Sequence, residues 1–350
     1  MSLKKRIRIG NKVIGEGKPC FIIAEAGVNH NGKIRLAKRL IDAAKTAGAD
    51  AVKFQTFTAG ELVGEDIALA GYQKKNMPRM KNQKEMLATL ELTAKDFVML
   101  KKYCDKKKIV FLSTPHTEGA LAILEDIVPA YKVASGDITN IPFLIKIAKK
   151  KKPVILSTGM ATLKEVQTAV GAVTRYTDKL VVLHCTTNYP CPADEVNLRA
   201  MDTLKEKGKN LTGYSDHTSG YEISLAAVAL GAVIIEKHLT LDRTLPGPDH
   251  RGSLTPGEFK AMIKAIRIVE RSLGSAKKEP TVHERKIASV VRKSIVAHVA
   301  IDKGTQIVPD MVTVRRPATG IAPYEISRVI GKKVKKNIPA NTVLTWGMLI

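Results

Sequence analysis

The chain has 350 residues, 44% hydrophobic and 26% charged, which is the balance of a soluble globular protein with one large domain or two. No apolar run is long enough to cross a bilayer, and the N-terminal MSLKKRIRIGNKVIGEG lacks the apolar stretch of a secretory signal. The net charge of +24 sits largely in lysine clusters at 101–108, 146–152 and 331–336, without interleaved aromatics or a helix-turn-helix, zinc-finger or RRM pattern, so it reads as a solvated surface that attracts anionic substrates rather than as a nucleic-acid interface.

Eight β-rich runs follow in chain order. They are FIIAEAG (21–27), AVKFQTF (51–57), IVFLSTP (109–115), YKVASGD (131–137), PVILSTG (153–159), LVVLHCT (180–186), LTGYSD (211–216) and VIIEKHL (233–239). Most are nearly continuous apolar stretches, as parallel strands covered on both faces require. Amphipathic segments such as GKIRLAKRLIDAAKTAG and PGEFKAMIKAIRIVERSLG separate them, each closing on a glycine. This beat predicts a (β/α)₈ barrel over 1–274. A doubly wound sheet is the alternative, but no Gly-rich turn follows the first strand, and GVNHNG has the wrong spacing for a dinucleotide loop. Residues 275–293 read as a charged, helix-bearing linker, and 294–350 as a small β-rich domain whose core is marginal alone. Cys20, Cys104, Cys185 and Cys191 show no paired spacing and read as free thiols of a reducing, cytoplasmic compartment.

In such barrels the chemistry collects at the C-terminal ends of the strands. Here every strand end carries a hydrogen-bonding or titratable group. The first offers Glu25, Asn29 and His30, the second Lys53 and Gln55, the third Ser113, Thr114 and His116. The fourth and fifth offer Lys132, Ser135, Asp137, Ser157 and Thr158, and the sixth leads through His184 to Asn188 and Tyr189. The last two supply Ser215, Asp216, His217, Glu236, Lys237 and His238. Lys53 and Lys132 with Thr114, Ser135, Ser157 and Ser215 make a set for a phosphate or carboxylate, although no P-loop is present. His217 and His238 end adjacent strands, where two imidazoles without a thiolate suit Mn²⁺, Zn²⁺, Fe²⁺ or Co²⁺.

The motifs AEAGVNHNG, VKFQTF, STP, KVASGDITNIP, LSTGM, HCTTNYP, GYSDHT and EKHLTLD resemble, in this order, those of the sialic acid synthase (N-acetylneuraminate synthase) family. The tail VRRPATGIAP with GKKVKKNIPANTVLTW resembles the antifreeze-like SAF domain that ends those enzymes. The resemblance implies a TIM barrel with a C-terminal SAF domain. It implies a transferase that condenses phosphoenolpyruvate with N-acetylmannosamine or a related N-acyl hexose, releasing phosphate. Lys53, Thr114, Lys132, Ser135, Ser157 and Ser215 then correspond to the phosphoenolpyruvate set, and His217 and His238 to the ligands of a divalent metal, Mn²⁺ first, with Mg²⁺ or Co²⁺ as alternatives. Glu25, Gln55, Asn188, Tyr189, Glu236 and Asp249 correspond to positions facing the sugar and the reacting carbons, with Glu25, Glu236 and both histidines in catalytic roles. Arg316 corresponds to an arginine sent into the partner's active site within a domain-swapped homodimer. Asp137, expected on the N-acyl side of the sugar, stands where bacterial N-acetylneuraminate synthases often carry Glu, and legionaminic and pseudaminic acid synthases, which take 2,4-diacetamido hexoses, are close alternatives. The rival readings are a Schiff-base aldolase, which needs a pocket lysine of depressed pKa, and a carbohydrate- or ice-binding protein.

Overall fold

The computed structural model describes residues 3–350, in two compact units that divide after Gly274. The first unit opens with a hairpin, β1 (Arg6–Ile9) and β2 (Lys12–Gly15), turning at Gly10 and Asn11. Its Ile7, Ile9 and Ile14 are buried among Phe21, Ile155, Leu183 and Ile234, and so plug the N-terminal end of the barrel. The barrel follows: β3 (Phe21–Gly27), α1 (Ile34–Ala47), β4 (Ala51–Thr56), then α2 (Ala59–Leu62), α3 (Gly71–Asn76) and α4 (Gln83–Ala88) before α5 (Ala94–Lys107). It continues with β5 (Val110–Pro115), α6 (Glu118–Leu124), β6 (Tyr131–Val133), α7 (Ile141–Lys149), β7 (Val154–Ser157) and α8 (Leu163–Thr174). The last strands and helices are β8 (Leu180–Cys185), α9 (Ala200–Gly208), β9 (Leu211–Asp216), α10 (Glu222–Ala229), β10 (Ile234–His238) and α11 (Pro256–Leu273).

The eight barrel strands are parallel in the order β5-β4-β3-β10-β9-β8-β7-β6, with β5 and β6 packed side by side at the seam. Each of the eight runs predicted from sequence is a strand. The fourth is shorter than expected: β6 stops at Val133, and Ser135–Asp137 form a 3₁₀ turn closed by the Asp137 and Ile138 amides on the Ala134 and Ser135 carbonyls, while Ser135 Oγ accepts from the Gly159 amide instead of leaving the residue to a ladder. Gly213 marks a close approach in β9, since a Cβ there would lie 2.5 Å from the Ile234 carbonyl oxygen. The long helix α1 buries one stripe, turning Ala37, Leu40, Ile41 and Ala44 inward, and ends at Gly48, whose φ of 94° is left-handed.

Strand alternation decides which strand-end residues reach the barrel interior. The β9–β10 register pairs Glu236 with Ser215 and Lys237 with Asp216. The first pair faces the lumen and the second faces the helices. Asp216 and Lys237 are therefore structural: 3.0 Å apart and fully buried. Asp216 also accepts from Thr218 N and Oγ1 at 2.8 and 2.7 Å and from Ser224 Oγ at 2.6 Å, while Lys237 Nζ donates to the Thr218 carbonyl at 2.6 Å. The pair fixes the loop that carries His217.

The second unit, Ser275–Ile350, contains α12 (Val282–Val291), begun by a Thr281–Glu284 capping box. Strand β11 (Ser294–Ala297) pairs antiparallel with β12 (Val312–Arg315), and a short α13 (Ile326–Val329) follows. The small domain has a core of its own, in which Ile295, Ile301, Ile307, Val334, Ile338 and Leu344 are buried together. Arg315 donates to Asn341 Oδ1 at 2.5 Å, and the adjacent Arg316 is exposed.

Replacing Lys237 with Met should lower the unfolding free energy of the protein by about 3–5 kcal/mol, because it breaks a buried ion pair by removing one partner. Chemical denaturation measures this, and a loss below about 1 kcal/mol would show that the pair does not hold the loop.

Candidate active site

The C-terminal strand ends surround a cavity of about 220 Å³. Its floor is a four-charge network. Lys53 Nζ lies 2.7 Å from Glu25 Oε2 and 3.7 Å from Glu236 Oε2, and donates to Thr114 Oγ1 at 3.2 Å. Lys132 Nζ donates to Ser157 Oγ at 2.6 Å and lies 3.6 Å from Glu236 Oε1, which also accepts from Ser215 Oγ at 3.1 Å. Ser135 Oγ accepts from the Gly159 amide at 3.0 Å and touches Cys185 Sγ at 3.1 Å; a Cβ on Gly159 would collide with Ser135, Thr187 and Cys185, so only glycine lets this turn approach the site.

Burial and partners set the protonation states. For Lys53, burial favours the neutral form, but Glu236 and Glu25 outweigh it and raise its pKa. Lys132 is lowered, by burial and by the charge of Lys53, against the pull of Glu236. Burial alone would raise Glu236, yet Lys132 and Lys53 hold its carboxyl well below the usual range. Glu25 moves the other way: burial pushes it up more than Lys53 draws it down. One carboxylate is thus held ionised and the other is poised to carry a proton.

Beside this floor stand the imidazoles, with ring centres 5.6 Å apart. His217 Nδ1 is 2.7 Å from the Thr186 carbonyl oxygen and donates to it, which leaves a lone pair on Nε2 near Ser215 Oγ at 3.4 Å. Burial lowers His217 to about 4. His238 is lowered as well, by burial and then by His217 and Lys53. Its Nδ1 is buried without a hydrogen-bond partner, 4.0 Å from Asp249 Oδ2. Two neutral rings with free lone pairs, one of them on an orphaned nitrogen, are the state a metal ion requires. Among the described residues no group of three or more His, Cys, Asp or Glu gathers at ligand spacing.

Outward, Tyr189 packs on His217 at 4.2 Å and Tyr72 on Tyr189 at 5.2 Å. Gln55 Nε2 donates to Glu25 Oε1 at 3.2 Å, and Asp249 closes this side. Thirteen of the sixteen predicted site residues line the one cavity, and Asp137, Asn188 and Arg316 do not. Asp137 sits in its 3₁₀ turn, 3.9 Å from His116 Nδ1, raised to about 6 by burial. Asn188 Nδ2 donates to Glu195 Oε2 at 3.3 Å on the exposed side, and its neighbour Thr187 lines the pocket instead. Arg316 belongs to the second unit.

His116 also lines the cavity, whereas two other strand-end residues are structural. His184 Nε2 bonds the Val196 carbonyl at 2.7 Å, and Thr158 Oγ1 donates to the Leu183 carbonyl at 2.9 Å. The lining also includes residues that strand-end chemistry did not single out: Tyr72 and Gln73 from α3, and Met86 and Leu87 from α4 with the following Leu90. Their helices have only six residues each, too short to show a period.

The sequence pattern of the NeuB family matches residues 40–278, and that of the SAF domain matches 292–350. The chain belongs to the NeuB family. Among NeuB relatives, it is 46% identical to the N,N'-diacetyllegionaminic acid synthase of Legionella pneumophila, over 96% of each chain. It is 37% identical to the human N-acetylneuraminate-9-phosphate synthase, over 92% of this chain and 90% of that one. The crystal structure of the N-acetylneuraminic acid synthetase of Leptospira borgpetersenii in complex with citrate superposes with a TM-score of 0.74 at 39% identity, covering 82% of this chain and 96% of that one.

In the metal-free NeuB chain, His217 should stay neutral, protonated on Nδ1, down to about pH 4. Nitrogen-edited NMR of the histidine side chains checks this. Titration near the ordinary value of ~6.5 would show that the ring is not held as described.

Proposed function

We propose that this chain condenses phosphoenolpyruvate with the open-chain aldehyde of an N-acyl hexose, N-acetylmannosamine or a relative of it, giving a nine-carbon sialic-type acid and inorganic phosphate. One observation carries the reading: buried lysines with hydroxyls stand beside two neutral imidazoles in the same small cavity.

Lys53, Lys132, Thr114, Ser135, Ser157 and Ser215 would hold the carboxylate and phosphate of phosphoenolpyruvate, and their charge and donors stabilise the departing phosphate. The bond between C3 of phosphoenolpyruvate and C1 of the aldehyde forms from the enol electron pair while the C1–O π bond breaks onto the aldehyde oxygen. That oxygen becomes a hydroxyl with the proton that Glu25 returns, and C2 is left with positive character. Water adds at C2 and gives its proton to Glu25, whose burial-raised carboxyl suits a base that takes up and returns protons. The C2–O bond to phosphate then breaks, its electrons leaving with the phosphate, which takes the proton of the C2 hydroxyl as C2 becomes the keto carbon. Glu236, held ionised between the two lysines, keeps both in place and braces Ser215. His217 and His238 would hold a divalent cation, Mn²⁺ first with Mg²⁺ or Co²⁺ as alternatives, which supplies Lewis-acid polarisation of a carbonyl oxygen when bound. Tyr189, Gln55 and Asp249 face the acceptor.

The 46% identity to a diacetyllegionaminic acid synthase favours a 2,4-diacetamido hexose over N-acetylmannosamine as the acceptor, with a pseudaminic-type sugar as a further alternative. Lys132 has a lowered pKa, as a Schiff-base lysine would, but it is bonded to Ser157 and paired with Glu236, which fits anion binding better. The exposed Arg316 is the guanidinium available to a homodimer in which the partner subunit's Arg316 completes the site. The chain contains no helix long and apolar enough to cross a membrane among the described residues.

Phosphate release from phosphoenolpyruvate should require an N-acyl hexose, stop with EDTA and return with Mn²⁺. Release that persists after exhaustive chelation would remove the metal role, and no release with any N-acyl hexose would remove the condensing function.

A further inference from the structure

Among the described residues, every barrel strand except β8 places a polar side chain of its own in the cavity lining. Strand β8 turns Val181 and Leu183 into the apolar layer beneath the floor, and by alternation Cys185 is the next side chain on that face. The register sets Cys185 beside Ser215, and Ser215 beside Glu236, so the thiol stands at the level of the floor. It is buried, at 5% exposure, and does not itself line the cavity. Its link to the cavity is Ser135, a lining residue whose Oγ is 3.1 Å from Cys185 Sγ and accepts from the Gly159 amide at 3.0 Å. Gly159 permits this contact, since a Cβ there would lie 2.8 Å from Ser135 Oγ and 3.1 Å from Cys185 Sγ.

A serine hydroxyl has one proton and two lone pairs. The Gly159 amide takes one lone pair, so the contact with Cys185 decides where the proton goes. If Ser135 donated to sulfur, it would turn a lone pair toward the cavity and repel an anion. If the thiol donates, the hydroxyl proton is free to point at a phosphate or carboxylate oxygen. A thiol is a weak acceptor and competes poorly for that proton, so a bound anion selects the second arrangement. We infer that Cys185 is a positioning residue: its S–H donates to Ser135 and aims the Ser135 hydroxyl at the anion of phosphoenolpyruvate. This rests on the condensing reaction proposed above, which places that anion at Ser135.

The test is the affinity for phosphoenolpyruvate, measured by calorimetry on the full-length protein with Mn²⁺. Cys185→Ala should weaken binding by about 5-fold, the loss of one neutral hydrogen bond. Cys185→Val, which refills the space without a donor, should weaken it as much. In a Ser135→Ala background, Cys185→Ala should have no further effect, because the two changes remove one interaction. Adding phosphoenolpyruvate to the unaltered protein should also lower the frequency of the S–H stretching band that Cys185→Ala removes, because donation weakens the S–H bond. Unchanged affinity in Cys185→Ala, recovery with valine, additive losses in the double variant, or an S–H band that stays or rises would overturn the inference while leaving the condensing reaction intact. If the unaltered protein binds no phosphoenolpyruvate, the condensing reaction itself fails, and this inference with it.

Discussion

Two lysines and two glutamates buried against one another at the mouth of the barrel constrain everything else in the catalytic unit. Each charge alone would be costly to desolvate, by several kcal/mol even after relaxation. Their pairing offsets that cost only while strands β3, β4, β6 and β10 hold their registers, because Glu25, Lys53, Lys132 and Glu236 come from four different strands. A one-residue slip in any of them would turn a charge outward into the apolar layer beneath the helices. The hairpin plug, the helix stripes and the Asp216–Lys237 pair all keep those registers in place.

The same network sorts protons. Glu236 sits between two ammonium groups and stays ionised, whereas Glu25 has one such neighbour and is more strongly governed by burial. Two carboxyl groups in one site with opposite shifts can divide the work, one as a fixed charge and the other as a proton carrier. The imidazoles obey the same electrostatics from the opposite side: burial first, then His217 and the ammonium charge of Lys53, hold His238 well below the usual imidazole range.

Much of this was legible in the sequence because parallel strands covered on both faces leave uninterrupted apolar runs. The lumen residues could also be chosen among the strand-end polar groups, since Ser215, His217, Glu236 and His238 alternate with Asp216 and Lys237. The alternation is a local property of the chain. What packs from elsewhere is not. Tyr72, Met86, Leu87 and Leu90 enter the pocket from helices of six residues or from the turn after them, joined by tertiary contacts that leave no periodic trace. Asn188 looked equivalent to Tyr189, but the loop after β8 turns its side chain to Glu195. Asp137 fell inside a run that read as strand, and the 3₁₀ turn carries it off the lining. The floor, built from strands, was therefore readable and the rim was not, which fits a family whose relatives include synthases of both N-acetylneuraminate 9-phosphate and diacetyllegionaminic acid.

The proposed chemistry places the cleavage at C2 of phosphoenolpyruvate, with the lysine and hydroxyl set receiving intact phosphate. Phosphoenolpyruvate labelled with ¹⁸O in the oxygen that bridges C2 and phosphorus tests this most directly. Breaking the C–O bond sends the label into inorganic phosphate, and the keto oxygen of the nine-carbon product comes unlabelled from water. Label recovered in the product, with unlabelled phosphate, would mean that the P–O bond breaks and would contradict addition of water at C2.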